Sequence, residues 1–136
     1  TMMNSWWQAL YYSVKRTNSA LKVLNTCTPE DVPNVEILKA EMRVLRAHFY
    51  FELSRHFNKI AWIDETIEEI DYSTISNNIY TRDEILGMIA QEFEDAAQIL
   101  PETQSEVGRA NKYVAKAYAA KVYLYKAYRQ NPANNA

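Results

Sequence analysis

The chain has 136 residues, enough for one domain with a real core, and its 48% apolar and 24% charged residues exclude wholesale disorder. A net charge of −2 gives no electrostatic reason to bind nucleic acid or anionic lipid, and with two glycines there is no Gly-rich phosphate loop, so P-loop and Rossmann fingerprints are absent. A single cysteine, Cys27, excludes an internal disulfide framework and a cysteine metal cluster; no apolar run reaches the ~18 residues of a membrane span; and Thr1-Met2-Met3-Asn4 lacks the basic and apolar regions of a signal peptide, so none is expected within this segment.

The spacing predicts a first helix from about Asn4 to Asn25, with Trp7, Leu10, Tyr11, Val14, Leu21 and Leu24 on one apolar face and a capping box at Ser5 and Gln8. Asn18 falls inside that stripe and is expected to be a buried amide bonded to a neighbouring helix. Pro29 and Pro33 punctuate the link to a second helix, from about Asn34 to Phe57. Its stripe is Leu38, Met42, Leu45, Phe49, Leu53 and Phe57, widened by Ala47 and Tyr50, and its polar face carries Lys39, Arg43, Arg46 and Arg55. From Lys59 to Thr81 the helical pattern lapses. Connections this long inside a compact domain are uncommon and often functional, and a short strand is allowed near Ile60–Ile63.

Thr81-Arg82-Asp83-Glu84 then reads as a capping box that opens a third helix, whose stripe is Ile85, Ile89, Phe93, Ala96 and Leu100 and whose end is Pro101. Gly87 lies within it at a cost of about 1 kcal/mol against Ala. After the loop Glu102–Ala110, Asn111 caps a fourth helix to about Arg129, with Tyr113, Ala117, Ala120, Leu124 and Ala127 as the stripe and Val114, Tyr118, Tyr125 and Tyr128 beside it. The tail from Gln130, with Pro132, is expected to fray. Short links favour antiparallel neighbours, so the fold class is all-α: two antiparallel helical hairpins, a tetratricopeptide-like superhelix with a long middle loop, in one domain over residues 1–136. The repeat is imperfect, since Ala47 and Ala120 are further apart than one tetratricopeptide period.

No catalytic, metal or cofactor constellation emerges. HExxH is absent, and Glu52 with His56 is one residue too widely spaced for a di-iron Glu-x-x-His and occurs once. His48 sits beside the core stripe as a packed histidine. Cys27 has Glu30 and Asp31 nearby, which disfavours a thiolate. The acidic run Asp64, Glu65, Glu68, Glu69 and Asp71 lacks the EF-hand spacing and glycine, so it reads as a solvated loop. The chain is rich in aromatics, with 10 Tyr, 3 Trp and 4 Phe. A flat ring suits the apolar C–H face of a pyranose, and four aromatics off the helical stripes or in loops, Trp6, Trp62, Tyr72 and Tyr80, are the candidate ligand-binding residues; packing is the competing role of each.

One stretch of the second helix reads Lys39-Ala40-Glu41-Met42-Arg43-Val44-Leu45-Arg46-Ala47-His48-Phe49-Tyr50-Phe51-Glu52-Leu53 and continues to Phe57-Asn58-Lys59-Ile60. It resembles the E-A-x-x-L-R-A-x-x-Y-F-x-L…F-G-x-V-P signature of the SusD/RagB family, the surface nutrient-binding lipoproteins of Bacteroidota. Three further pieces are similar in order: Arg16-Thr17-Asn18, the segment Asp83-Glu84-Ile85 to Leu100-Pro101, and Gly108-Arg109-Ala110-Asn111 followed by Tyr123-Leu124-Tyr125. Departures are Asn58 where the family has Gly, Ala61 where it has Pro, Asn111 for Thr, and Met42 for a small residue.

The resemblance implies the helical portion of a longer, non-enzymatic glycan-binding protein without cofactor. It implies a place on the outer leaflet of the outer membrane, held by a lipid anchor absent from this segment, beside a SusC-like TonB-dependent transporter to which oligosaccharide is delivered. Glu41, Leu45, Arg46, Ala47, Gly108 and Arg109 match as structural residues, with Arg46 expected to pair with a carboxylate or cap helix carbonyls, and no binding residue carries over. It further implies an exposed apolar surface where the rest of such a protein packs. The alternative is a stand-alone helical-repeat adaptor that binds a peptide or protein partner.

Overall fold

The computed structural model describes residues 1–130; the expected frayed tail with Pro132 lies outside them apart from Gln130. Four helices, α1 (Met2–Thr26), α2 (Val35–His56), α3 (Arg82–Ile99) and α4 (Lys112–Gln130), form two antiparallel hairpins, with a single 3-10 turn, Glu69–Thr74, in the middle segment. The hairpins are not separate: α2 packs along α1 on one side and along α3 on the other, and α3 packs on α4, so the helices form a continuous row.

α1 starts earlier than its spacing suggests. Its N-cap is Thr1, whose hydroxyl accepts the Asn4 N–H, while Ser5 bonds back to the Thr1 carbonyl and makes no box with Gln8. Met2, Met3 and Asn4 contain no helix breaker, so the helix runs back to the first available cap. Its core face is Leu10, Val14 and Leu21 with the buried Thr17 and Asn18.

α2 corrects two expectations. Of the anticipated stripe Leu53 and the widening residues Ala47 and Tyr50 are buried, while Leu45 is 42% exposed. The rest of the burial falls on Val35, Ala40, Val44 and Phe51, and on Glu41 and Arg46. The widened stripe implies burial on more than one side, and α2 does have neighbours on both sides. For the same reason Arg46 does not belong to a solvated polar face.

α3 follows its pattern: Ile85, Ile89, Phe93, Ala96 and Leu100 are all buried. Thr81 and Glu84 complete the capping box, with the Thr81 N–H donating to Glu84 Oε2 at 2.7 Å and the Glu84 N–H donating to Thr81 Oγ1 at 3.2 Å.

α4 is capped as expected, Asn111 Oδ1 accepting the N–H groups of Tyr113 and Val114 at 3.0 Å. Its buried face is not the expected one. Ala115, Ala119 and Val122 face α3, with Tyr118 stacked on Phe93 at 5.2 Å and Tyr125 edge-on to Phe51 at 5.7 Å. Tyr113, Ala117, Ala120, Leu124 and Ala127 are exposed, Leu124 by 72%. Apolar residues encircle this helix and alanines fall on both sides of it, so neither the period nor side-chain size could choose a side; Ala115 and Ala119 are the pair that meets α3. The result is an outer face with Tyr113, Val114, Tyr123 and Leu124 exposed.

Candidate functional site

Residues 60–63 form neither helix nor strand. Two tyrosines do the work a neighbouring strand would do. The Tyr11 hydroxyl accepts the Ala61 N–H at 2.8 Å and donates to the Ala61 carbonyl at 2.9 Å. The Tyr50 hydroxyl accepts the Ile63 N–H and donates to the Ile63 carbonyl, both at 2.7 Å. Buried backbone groups need such partners, and these phenols supply them without a second chain segment. Burial is the main reason the Tyr11 pKa is pushed up to about 12, the bond to Ala61 offsetting part of it, and burial likewise lifts Tyr50 well above its ordinary value.

Behind this staple lies a charged cluster. Arg46 grips Glu92 with two bonds, Nε at 3.0 Å and Nη2 at 2.5 Å, donates to Asn18 Oδ1 at 3.0 Å, and pairs with Glu65 through Nη1. Asn18 in turn donates to the Ile63 carbonyl at 3.0 Å and to the Tyr72 hydroxyl at 3.4 Å. Asn18 is therefore the buried amide expected, and Arg46 has its carboxylate partners. Burial alone would lower the Arg46 pKa; the bonds and charges of Glu92 and Glu65 overcome it and the net shift is upward. Glu65 is thus drawn out of the acidic run, and Glu68 and Glu69 pair with Lys22 and Lys15 on α1.

Between α1 and the anchored segment opens a cleft of about 630 Å³. Val14, Ala61 and Ile63 are its buried lining. Trp7, Tyr11 and Tyr12 come from α1, and Tyr72 with residues 73–77 closes the other side. Gln8, Lys15 and Asn77 bring polar groups to it. Lys15 is its one charged residue, and the bond to Glu69 raises the Lys15 pKa.

Of the four candidate aromatics, the structure brings Tyr72 alone into this cleft. Trp62 is half-buried and stacked on Tyr50, with centroids 4.3 Å apart. Trp6 lies at a separate shallow apolar depression with Met2, Met3, Ser5 and His56, its ring edge-on to the imidazole. Tyr80 is 40% exposed, just before the α3 cap. Trp7 and Tyr11 sit on the α1 core stripe, which hid their second role. Tyr12 had a signal of its own, an aromatic one step off that stripe and 59% exposed.

The remaining polar candidates have ordinary settings. His48 packs its ring against Phe49 and Tyr118. His56 Nδ1 lies 2.8 Å from the Glu52 carbonyl, while Glu52 pairs with Arg55. No group of His, Cys, Asp and Glu suited to a metal ion occurs among the described residues.

Compared with known proteins, residues 1–124 match a SusD-like family described as starch-binding and associating with the outer membrane. The chain belongs to the SusD-like family. A SusD-like protein of Bacteroides ovatus is 30% identical over 120 residues, 87% of this chain and 21% of that protein. Among solved structures, a SusD-like protein from Bacteroides fragilis superposes with a TM-score of 0.77 at 25% identity, covering 90% of this chain and 24% of its own. A laminarin-binding SusD-like protein superposes with a TM-score of 0.76 at 28% identity, covering 93% of this chain and 27% of its own. The chain therefore spans about a quarter of the length of these relatives.

The SusD-like motif residues have physical roles here. Glu41 is 7% exposed and is clamped by Arg109 through Nε at 2.9 Å and Nη2 at 2.7 Å, with Gln104 adding a third bond at 2.8 Å. Gly108, at φ 94, turns the loop in the left-handed region and delivers Arg109 to this carboxylate. One motif thus ties α2 to the α3–α4 loop, and the Arg46 motif ties α2 to α1, α3 and the middle segment.

Proposed function

We propose that this chain is the helical scaffold of a SusD-like glycan-binding protein that works without catalysis. It acts on the outer face of the outer membrane, held there by a lipid anchor, and hands oligosaccharide to a SusC-like TonB-dependent transporter. The observation that carries this reading is the family match across residues 1–124. The laminarin-binding relative and the cleft support the ligand class, because aromatic rings beside amides and hydroxyls suit a molecule with apolar faces and hydroxyl edges. No helix of the described residues is long and apolar enough to cross a membrane, so attachment in this reading relies on the anchor.

The test uses the full natural chain. Titration calorimetry against neutral and acidic oligosaccharides is expected to show binding, and chromatography is expected to show unchanged chain lengths after incubation. Purification from the native membrane is expected to bring a TonB-dependent barrel with it. Binding of no oligosaccharide, or shortening of one, overturns the reading. The adaptor alternative has no observation of its own once the family is assigned.

A further inference from the structure

We propose that residues 66–80 form a strap that charge docks onto α1 and that swings off it as one unit, opening and shutting the cleft while the helices stay folded. This goes beyond the binding reading and depends on no ligand.

The middle segment is held in two different ways. Up to Glu65 it is fixed by buried groups: Tyr11 on Ala61, Tyr50 and Asn18 on Ile63, and Arg46 on Glu65. From Thr81 it is fixed again by the α3 capping box. Between these anchors no residue is fully buried; Ile67, Tyr72 and Ile75 are half-buried, and Ile70 and Ile79 are exposed. The backbone bonds of this stretch are local, from Ile67 to Asp64, Asp71 to Glu68 and Ile75 to Tyr72. Among the described residues none reaches one of the four helices. A stretch with few buried contacts and no backbone bonds to its neighbours opens locally, well before the whole chain unfolds.

What holds the stretch is charge. α1 carries Lys15, Arg16 and Lys22 and no acidic residue. Residues 66–80 carry Glu68, Glu69 and Asp71 and no Lys or Arg. Lys15, Asn18 and Lys22, three and four residues apart, share one line of α1 and meet Glu69, the Tyr72 hydroxyl and Glu68. Arg16, over the Tyr12 ring at 5.8 Å, adds to the positive side of this seam. The ion pairs are open to solvent, Glu69 by 59% and Glu68 by 76%, and the bond from Asn18 to Tyr72 is long at 3.4 Å. Pairs so exposed are individually weak and are screened by salt. Beyond them, Lys59 donates to Asn78 Oδ1 at 2.7 Å at the far end of the strap.

The place of the strap gives its release a consequence. Tyr72 and residues 73–77 are one wall of the cleft, and α1 with Ala61 and Ile63 forms the rest. Lifting the strap removes that wall. The bonds of Tyr11, Tyr50 and Arg46 are untouched, because their partners in this segment end at Glu65.

The experiment is hydroxyl-radical footprinting of the full natural chain, read by mass spectrometry against a radical dosimeter. It is run at about 20 mM and about 500 mM NaCl, a change that shortens the reach of charge about fivefold. The Lys15→Gln/Lys22→Gln variant is labelled at low salt, and circular dichroism follows the helices. High salt and the variant are each expected to raise the labelling of Ile67, Tyr72 and Ile75 about twofold, with Tyr50, Ile63 and the dichroism unchanged. Labelling of the strap that ignores salt overturns the proposal, whether apolar contacts hold the strap or another part of the chain covers it. A rise that extends equally to Tyr50 and Ile63 also overturns it, since the segment then loosens as a whole. The exchange Lys15→Glu/Glu69→Lys separates charge from packing: it is expected to restore the low labelling that Lys15→Glu alone loses, and equal labelling of the two overturns charge as the cause. The salt series needs no variant, so it decides even where a substitution disturbs the fold.

Discussion

The middle segment, residues 57–81, and the outer face of α4 are opposites. The first is irregular in backbone yet closely bonded: Tyr11, Tyr50 and Asn18 take up its peptide groups, and Arg46 takes up Glu65. The second is regular helix, capped and hydrogen-bonded, yet it leaves Tyr113, Leu124 and Tyr123 in solvent. Regularity of backbone and completeness of burial are separate properties. A helix satisfies its own peptides and can wait for a partner; an extended segment cannot, so its partners must already be in place.

Breaking the bonded region should have the largest effect. Arg46→Ala leaves Glu65 and Glu92 facing a buried gap without their cation and strands Asn18 Oδ1, and is expected to cost about 3–5 kcal/mol, read as a lower urea midpoint. A loss under 1 kcal/mol would mean that the middle segment is held by something other than this cluster. Tyr50→Phe keeps the ring stacked on Trp62 but removes both bonds to Ile63, so a loss of about 1–3 kcal/mol is expected by the same measurement.

Alkaline pH probes the same region more gently. Burial lifts Tyr11 from 10.0 to about 12 and raises Tyr50 as well. The unfolded chain loses these protons first, so the folded state binds more protons across that window. Stability is full below pH 10 and falls as pH rises towards 12, and Tyr11→Phe should flatten the fall in a series of thermal melts. The smallest effect is expected on the open side. Leu124→Glu, at a position 72% exposed, should change the stability of the 136-residue chain by under about 0.5 kcal/mol while lowering its binding of an apolar dye. A loss well above that would mean that the outer face of α4 is covered in solution.

Much of this was legible in the residues. The four helices, the Thr81 and Asn111 caps, the α3 stripe, buried Asn18 and a paired Arg46 all follow from spacing and from the family resemblance. Three things were hidden, each for a physical reason. α4 is apolar on every side, so its period points nowhere. The width of the α2 stripe implied burial on two sides, but not that charged Glu41 and Arg46 would be buried, which depends on Arg109 and Glu92, more than 40 residues away, closing around them. The cleft depends on where residues 60–77 come to lie against α1, and that is set by hydroxyl-to-backbone bonds that leave no periodic trace. Tyr72 was recognisable as an off-stripe aromatic; Trp7 and Tyr11 were not, because they serve the core and the cleft at once.

The stacking of Trp62 on Tyr50 and the edge-on packing of Trp7 and Phe57 also give the molecule a one-sided optical signature. All three tryptophans fall between residues 6 and 62, and α3 and α4 contain none. Indole emission therefore reports on the first hairpin and the segment anchored to it, whereas far-ultraviolet dichroism reports on every helix. Coincident unfolding curves from the two signals would show that the row of four melts as one cooperative unit; an earlier emission change would show the first hairpin letting go while the second still holds its helices.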